Sequence, residues 1–480
     1  MKPMTEFSHR TDPASTNAER TLGLVRGTRD WLPDDLAAIG HLEQVLLEEF
    51  HRAGYRALRT PVLEFTELHE RKGGAGVVSK LYEVGDERIS AGLKRVCLRP
   101  ELTAGIVRAY ATLETTPPLP WRVCHVGPVF RHEDPRTGRW REFEQVGVEL
   151  LGGGGPVVDA EVVWLADHAL QRLGVPTAVI RLGYVGLTLE MIEQSGLPQP
   201  LRWALVEHLS KAAAEGNTLH SLEQTLDQFT SWVHSPSGEL ATVPLTDDAQ
   251  DDPGLDRLFH TLVTTFTGRR TGHEILHRLR RKWDLGHTLV DRIDLIREQI
   301  HSLAAFRGPA NEVLDRLQAQ FAQTAPRSIQ ALRELVEALV TYGIDADRIE
   351  LDLGYGRGIG FYSQMVFDLV VPTPQGGIEV CGGGRYDGLA RVLGCPVDRD
   401  DRGVGFAFGL ERLWQVLQAS RSPAPVVRLA MGTLVVPATR NAPDVAAAIH
   451  HALKLRAQGE IALLETSLAV DQARAQAQAL

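Results

Sequence analysis

From Asp35 to Ala53 apolar side chains recur at Leu36, Ile39, Leu42, Val45, Leu46 and Phe50, the spacing of one helical face, and Gly54 supplies a stop. The spacing predicts one amphipathic helix. Tyr55-Arg56-Ala57-Leu58 then alternates as a strand does, and the run to Pro61-Val62-Leu63-Glu64 continues it, with the proline suited to a strand end or sheet edge. Two further runs, Arg122–Phe130 and Phe143–Leu151, enclose the charged stretch HEDPRTGRWRE and predict an antiparallel hairpin with a long, arginine-rich tip. Between about 186 and 346 the pattern turns to helical repeats of Leu, Ala, Arg and Glu, broken near 235–255 and 306–311. Strand patterns return at Ile349–Leu353, Phe361–Val371 and Gly377–Cys381. A helix then follows Gly409 through Leu410, Leu413, Trp414 and Leu417. From Thr433 to Leu480 the order strand, helix, strand, helix fits a small α/β unit.

These patterns divide the chain into a flexible extension (1–24), a core in two parts (25–185 and 347–420), a mostly helical insertion (186–346) and a partial α/β domain (430–480). A chain of 480 residues, 43% of them apolar, suits such a division, since single cores stop growing at about 250–300 residues. No run approaches the roughly 20 apolar residues of a membrane span, and MKPMTEFSHRTDPAST lacks the apolar centre of a secretory signal, so a cytoplasmic protein without a membrane partner is expected. Cys97, Cys124, Cys381 and Cys395 form no CxxC pair and are too scattered for a disulfide framework; reduced, buried thiols and no zinc are expected. A net charge of −10 argues against a protein that coats nucleic acid non-specifically, while leaving room for an RNA held by local basic patches.

Candidate chemistry sits in a few segments. The hairpin tip carries Arg131, Arg136, Arg139 and Arg141 with Glu133 nearby. Guanidinium groups grip carboxylate or phosphate oxygens bidentately, so several at the mouth of a sheet suit an anion or nucleotide; an ordinary solvated tip would carry them too. In LRPELT, Glu101 lies between a strand-like and a helix-like stretch, placed either to hold an ammonium group or to favour the helix dipole. Gln145 and Glu149 fall four apart on a strand and so share a face. GYGRGIGFYSQ lacks the GxGxxG register of a dinucleotide loop and precedes a strand, which excludes that reading. Its glycines suit either close backbone approach by a ligand, with Arg357 among them, or a bulged strand. CGGGRYDGL reads as a flexible backbone passage beside a ligand or as a turn.

In this order, RGTRDWLP, LRPELTAGIVRAY, GPVFRHEDPRTGRWREFEQVGVELLG, GRGIGFYSQMVF, GGGRYDGL and GVGFAFGLERL resemble segments of the histidyl-tRNA synthetase family: the N-terminal signature, the substrate segment, motif 2, two histidine-specific segments and motif 3. The resemblance implies an α+β fold of the class II aminoacyl-tRNA synthetase type, a six-stranded antiparallel sheet flanked by helices. It implies a homodimer formed through the Asp35 helix and the strand ending at Pro61. It also implies a ligase that activates histidine with ATP and Mg2+ and transfers it to tRNA. Arg131 resembles the arginine on the α-phosphate and the substrate carboxylate, and Arg357 the one that stabilises the α-phosphate during attack. Glu133, Arg139 and Arg412 match nucleotide contacts, while Glu101, Thr103, Gln145, Glu149 and Tyr362 match histidine contacts, with Arg357 beside them.

The pattern departs from the family at Gly360, where an acid is usual, at Phe361, where a tyrosine is usual, and at Asp134, where an arginine is usual. The insertion is long and the final α/β unit stops partway through an anticodon-binding domain. These features resemble the non-catalytic regulatory subunit of ATP phosphoribosyltransferase, which binds histidine and partners that enzyme's catalytic subunit.

Overall fold

The computed structural model describes residues 23–73, 79–85, 95–135, 140–175, 177–197, 202, 205–206, 288–354, 362–373, 376–419, 433–439, 441–460, 462–464 and 472. Outside them lie nearly all of the expected extension 1–24, residues 207–287 of the insertion, Arg136, Arg139, Arg357, Gly360, Phe361 and the expected C-terminal helix apart from one residue.

The chain divides into two compact units, one within Met1–Trp31 and Leu42–Ser422 and the other within Leu32–His41 and Pro423–Leu480. In chain order the strands are β1 (Arg56–Ala57), β2 (Leu63–Phe65), β3 (Tyr82–Val84), β4 (Val96–Leu98), β5 (Trp121–Phe130), β6 (Glu142–Leu151), β7 (Val179–Tyr184), β8 (Arg307–Pro309), β9 (Ile349–Asp352), β10 (Met365–Thr373), β11 (Gly376–Arg385), β12 (Gly403–Gly409), β13 (Thr433–Val435) and β14 (Ala462–Leu464). Nine of them build one sheet in the order β1-β5-β6-β12-β11-β10-β7-β9-β8. Its centre, from β5 to β7, is six strands paired antiparallel throughout, as expected. The edges add β1 parallel to β5 and β9 parallel to β7, with β8 closing the far side antiparallel to β9.

The hairpin follows from alternation. Val146, Val148 and Leu150 of β6 are fully buried, while Gln145, Gly147 and Glu149 lie on the opposite face. On the helix Pro33–Arg52, Leu42, Leu46 and Phe50 are completely buried, and Phe50 meets Phe406 of β12 edge to face at 5.6 Å. Each such side chain contributes about 1.5–3 kcal/mol through its burial. The helix Pro156–Arg172 starts after Gly155, whose φ of 96° a side chain would strain, and packs against the helix Pro326–Thr341. Thus the span expected as an insertion, 186–346, contributes a strand (β8) and a packed helix to the unit that holds the main sheet.

CGGGRYDGL corrects an expectation. Gly382, Gly383 and Gly384 are interior residues of β11, paired with β10 on one side and β12 on the other, and the turn is confined to Asp387 and Gly388 beyond the strand. A Cβ at Gly383 would lie 2.6 Å from Cβ of Phe406 and 2.8 Å from the Phe367 ring, so glycine is required by close packing. The smaller unit holds β13 parallel to β14 and the helix Ala442–Ala457, capped by the Asn441 side chain, with Val435, Ala448, Ala452 and Ala462 as its core. No described helix is long and apolar enough to cross a membrane. All four cysteines are buried, and none is joined in a disulfide.

Candidate active site

Two carboxylates form the centre of the site. Glu149 projects from β6, is 2% exposed, and accepts hydrogen bonds from the hydroxyls of Tyr386, just past β11, and Thr103, the first residue of the helix Thr103–Thr112. Burial pushes its carboxyl up to about 7, and these two donors only partly offset that. Gly405, its cross-strand neighbour on β12, makes the room: a Cβ there would land on the Glu149 carboxylate and on the carbonyl of Val148.

Glu101 behaves in the opposite way. Although burial alone would raise it, Lys72 and His69 beside it and the Ala104 amide hold its carboxyl down at about 2. Lys72 Nζ lies 2.8 Å from Oε2, His69 Nδ1 3.6 Å from Oε1, and the Ala104 amide donates to Oε1 at 3.1 Å, at a helix start where an anion is favoured. His69 and Lys72 come from the helix Thr66–Gly73, and both interact electrostatically with Glu101. Burial pushes the His69 imidazole down to about 4 and that of His125, on β5, to about 3, so both are neutral at physiological pH. His125 Nε2 approaches Glu149 Oε1 only to 4.0 Å, and its ring occupies space that Gly147 opposite leaves open.

The structure therefore brings Glu101, Thr103 and Glu149 together. Tyr362 joins them at one remove: its ring lies over Gly384, and it packs with Tyr386 in the same apolar cluster. Arg131 leaves the end of β5, donates from Nε to the carbonyl of Pro100 at 3.0 Å, and stacks its guanidinium 5.1 Å from the Phe143 ring. That anchor holds it next to the Glu101 segment, within electrostatic reach of Lys72, whose ammonium burial chiefly lowers and Arg131 lowers slightly further. Glu133 takes part through its backbone carbonyl, which accepts from Arg141 Nε at 3.0 Å, and the Arg141 amide in turn donates to Gly27. Gln145 shares the Glu149 face of β6, opposite Gly127 and Gly409. Arg412 follows Gly409, the cross-strand neighbour of Gln145; its Nη1 donates to the backbone carbonyl of Glu379 at 3.1 Å, and the two half-exposed side chains pair at 3.6 Å.

Sequence reasoning missed Lys72, His69, His125 and Tyr386. It also missed Glu411, 7% exposed, which accepts from the Glu144 amide at 3.0 Å and is pushed up to about 7 by burial. The usable signals were Tyr386 inside GGGRYDGL and Glu411 inside GVGFAFGLERL; Lys72, His69 and His125 stand outside every motif singled out in the sequence.

A six-stranded antiparallel centre flanked by helices, with a carboxylate-lined site at β6, β11 and β12, defines a core of the class II aminoacyl-tRNA synthetase type. The chain matches the histidyl-tRNA synthetase family over residues 27–243 and 240–413, and it belongs to that family. It is 29% identical to the histidine–tRNA ligase of Pyrococcus furiosus over 91% of this chain and 83% of that one. It is 31% identical to the ATP phosphoribosyltransferase regulatory subunit of Moorella thermoacetica over 92% of each. Among solved structures, an ATP phosphoribosyltransferase regulatory subunit/histidyl-tRNA synthetase from Bacillus halodurans has the same fold, with a TM-score of 0.60 at 20% identity over 94% of this chain and 95% of that one.

Proposed function

We propose that the chain binds histidine at the Glu101–Glu149 site and activates it with ATP to the adenylate, releasing pyrophosphate, after which the histidyl group passes to the 3′ end of a tRNA and AMP leaves. The observation that carries this reading is the meeting of Glu101, Thr103, Glu149 and Tyr386 in one buried cluster with the Arg131 guanidinium fixed at Pro100 beside it. Glu149, protonated or ionised near neutral pH, can either donate to or accept from an imidazole nitrogen. In this reading Arg131 neutralises charge where a carboxylate meets the α-phosphate, the main requirement of in-line attack on phosphorus. Arg357 and Arg139, outside the described residues, are assigned the remaining phosphate contacts by resemblance. In this reading Mg2+ enters with the ATP phosphates as part of the substrate.

A second reading is a regulatory subunit that binds histidine and partners the ATP phosphoribosyltransferase catalytic subunit. It is favoured by the pairing of Arg412 with Glu379, which occupies an expected phosphate ligand. Histidine-dependent ATP–pyrophosphate exchange separates the two, with Arg131→Ala as control. Exchange that requires both histidine and Arg131 supports the ligase. Histidine binding by calorimetry without exchange supports the regulator, and loss of both removes the histidine reading. In either case two copies are expected to pair, which sedimentation equilibrium measures.

A further inference from the structure

Glu101, the carboxylate expected to receive a ligand's ammonium group, already holds one from the chain itself. Lys72 Nζ lies 2.8 Å from Oε2, with only 6% of the lysine side chain exposed. The same carboxylate accepts from the Ala104 amide, at 3.1 and 3.3 Å from its two oxygens, and has the buried His69 ring 3.6 Å away, while 18% of the Glu101 side chain stays exposed. A second ammonium brought to the same oxygens would face Lys72 within a few ångströms, in surroundings largely closed to water, where like charges repel strongly. Lysine is suited to yielding such a place: its charge sits on a flexible four-carbon stem. It does not yield freely, because leaving Glu101 would carry a buried cation away from its partner.

We propose that Lys72 is the resident cation of the ammonium subsite and thereby determines which imidazole ligands the site accepts. An imidazole acid without an α-ammonium group binds with Lys72 in place, whereas histidine must first displace Lys72 from Glu101. This rests on the histidine reading of the site. Glu149 lies within electrostatic reach of both Lys72 and Glu101, so the imidazole end and the ammonium end of one small ligand are read by a single connected set of charges.

The test is calorimetric titration of the full chain, as wild type, Lys72→Met and Lys72→Arg, with histidine and with 3-(imidazol-4-yl)propionate, its counterpart lacking the amine. Lys72→Met is expected to raise the ratio of histidine affinity to propionate affinity by about tenfold or more, because the ligand's ammonium then takes the place on Glu101 without displacing Lys72. Lys72→Arg is expected to keep the wild-type ratio. A structural role alone would move both affinities together and leave the ratio fixed. A ratio within about threefold of wild type in Lys72→Met, with both ligands still bound, overturns the assignment and leaves the histidine reading standing. Should that variant not fold, Lys72→Gln is read by the same ratio. If no form of the chain binds either ligand, the histidine reading falls and this assignment with it.

Discussion

In the folded chain Glu149 keeps its proton up to about pH 7, whereas the same group in the unfolded chain ionises near its ordinary value of 4.5. Its stabilising contribution is therefore complete below about pH 4.5 and is lost as pH rises through about 7. Glu411 has the same sign and window. Thermal melts from about pH 5 to 8 are expected to show stability falling with pH through these groups. Glu149→Gln and Glu411→Gln are each expected to flatten that fall, and a melt profile unchanged in both would remove the assignment. His69 and His125 act oppositely: neutral when buried, they contribute fully above about 6.5, and their contribution is lost as pH falls through about 4 and about 3. Glu101 and Glu149 were legible in the sequence because strand period and motif order placed them. Lys72 was not: in HERKGG a lysine among charges reads as solvated, and only the packing of its helix against the Glu101 segment buries it.

At the scale of single elements, β11 and β12 are joined by what their glycines leave out. Gly405→Ala is expected to destabilise the protein by about 1–3 kcal/mol, measured by urea unfolding, because the added methyl has nowhere to go between β6 and Glu149. Histidine binding should be lost in the same variant. Arg385, fully buried at the end of β11, donates to Asp159 at 2.7 Å from Nε, to Asp387 at 2.8 Å and to the carbonyl of Gly153 at 3.0 Å. It thus fixes the helix Pro156–Arg172 to the sheet. Arg385→Met leaves Asp159 buried without its cation and is expected to cost about 3–5 kcal/mol; a loss under 1 kcal/mol in urea unfolding would show the pair to be dispensable. The periodic helices and the β5–β6 hairpin were readable from spacing, since a partner next in sequence needs only local information. The interior place of CGGGRYDGL was not readable, because three glycines in a row resemble a loop until the strands on either side are known.

For the whole molecule, a ligand that binds only the folded state raises stability by about 2.7 kcal/mol at a hundred times its dissociation constant. Histidine is therefore expected to raise the melting temperature of the unit that carries the main sheet, and scanning calorimetry that shows no shift at saturation would count against binding. The place of β8 in the large sheet was not legible, since a three-residue strand inside a long helical stretch leaves no alternation to read. That sheet has a further property in its order. β12, the last of its strands in the sequence, inserts between β6 and β11 near the middle. While the chain is being synthesised, β6 emerges early and has β5 on one side, but its other edge stays open until the ribosome has released Gly409. An exposed strand edge is a template for pairing with another chain. Much of translation thus passes with the future ligand site as an unpaired β edge, which makes the nascent chain, more than the finished protein, the form that needs a chaperone's protection.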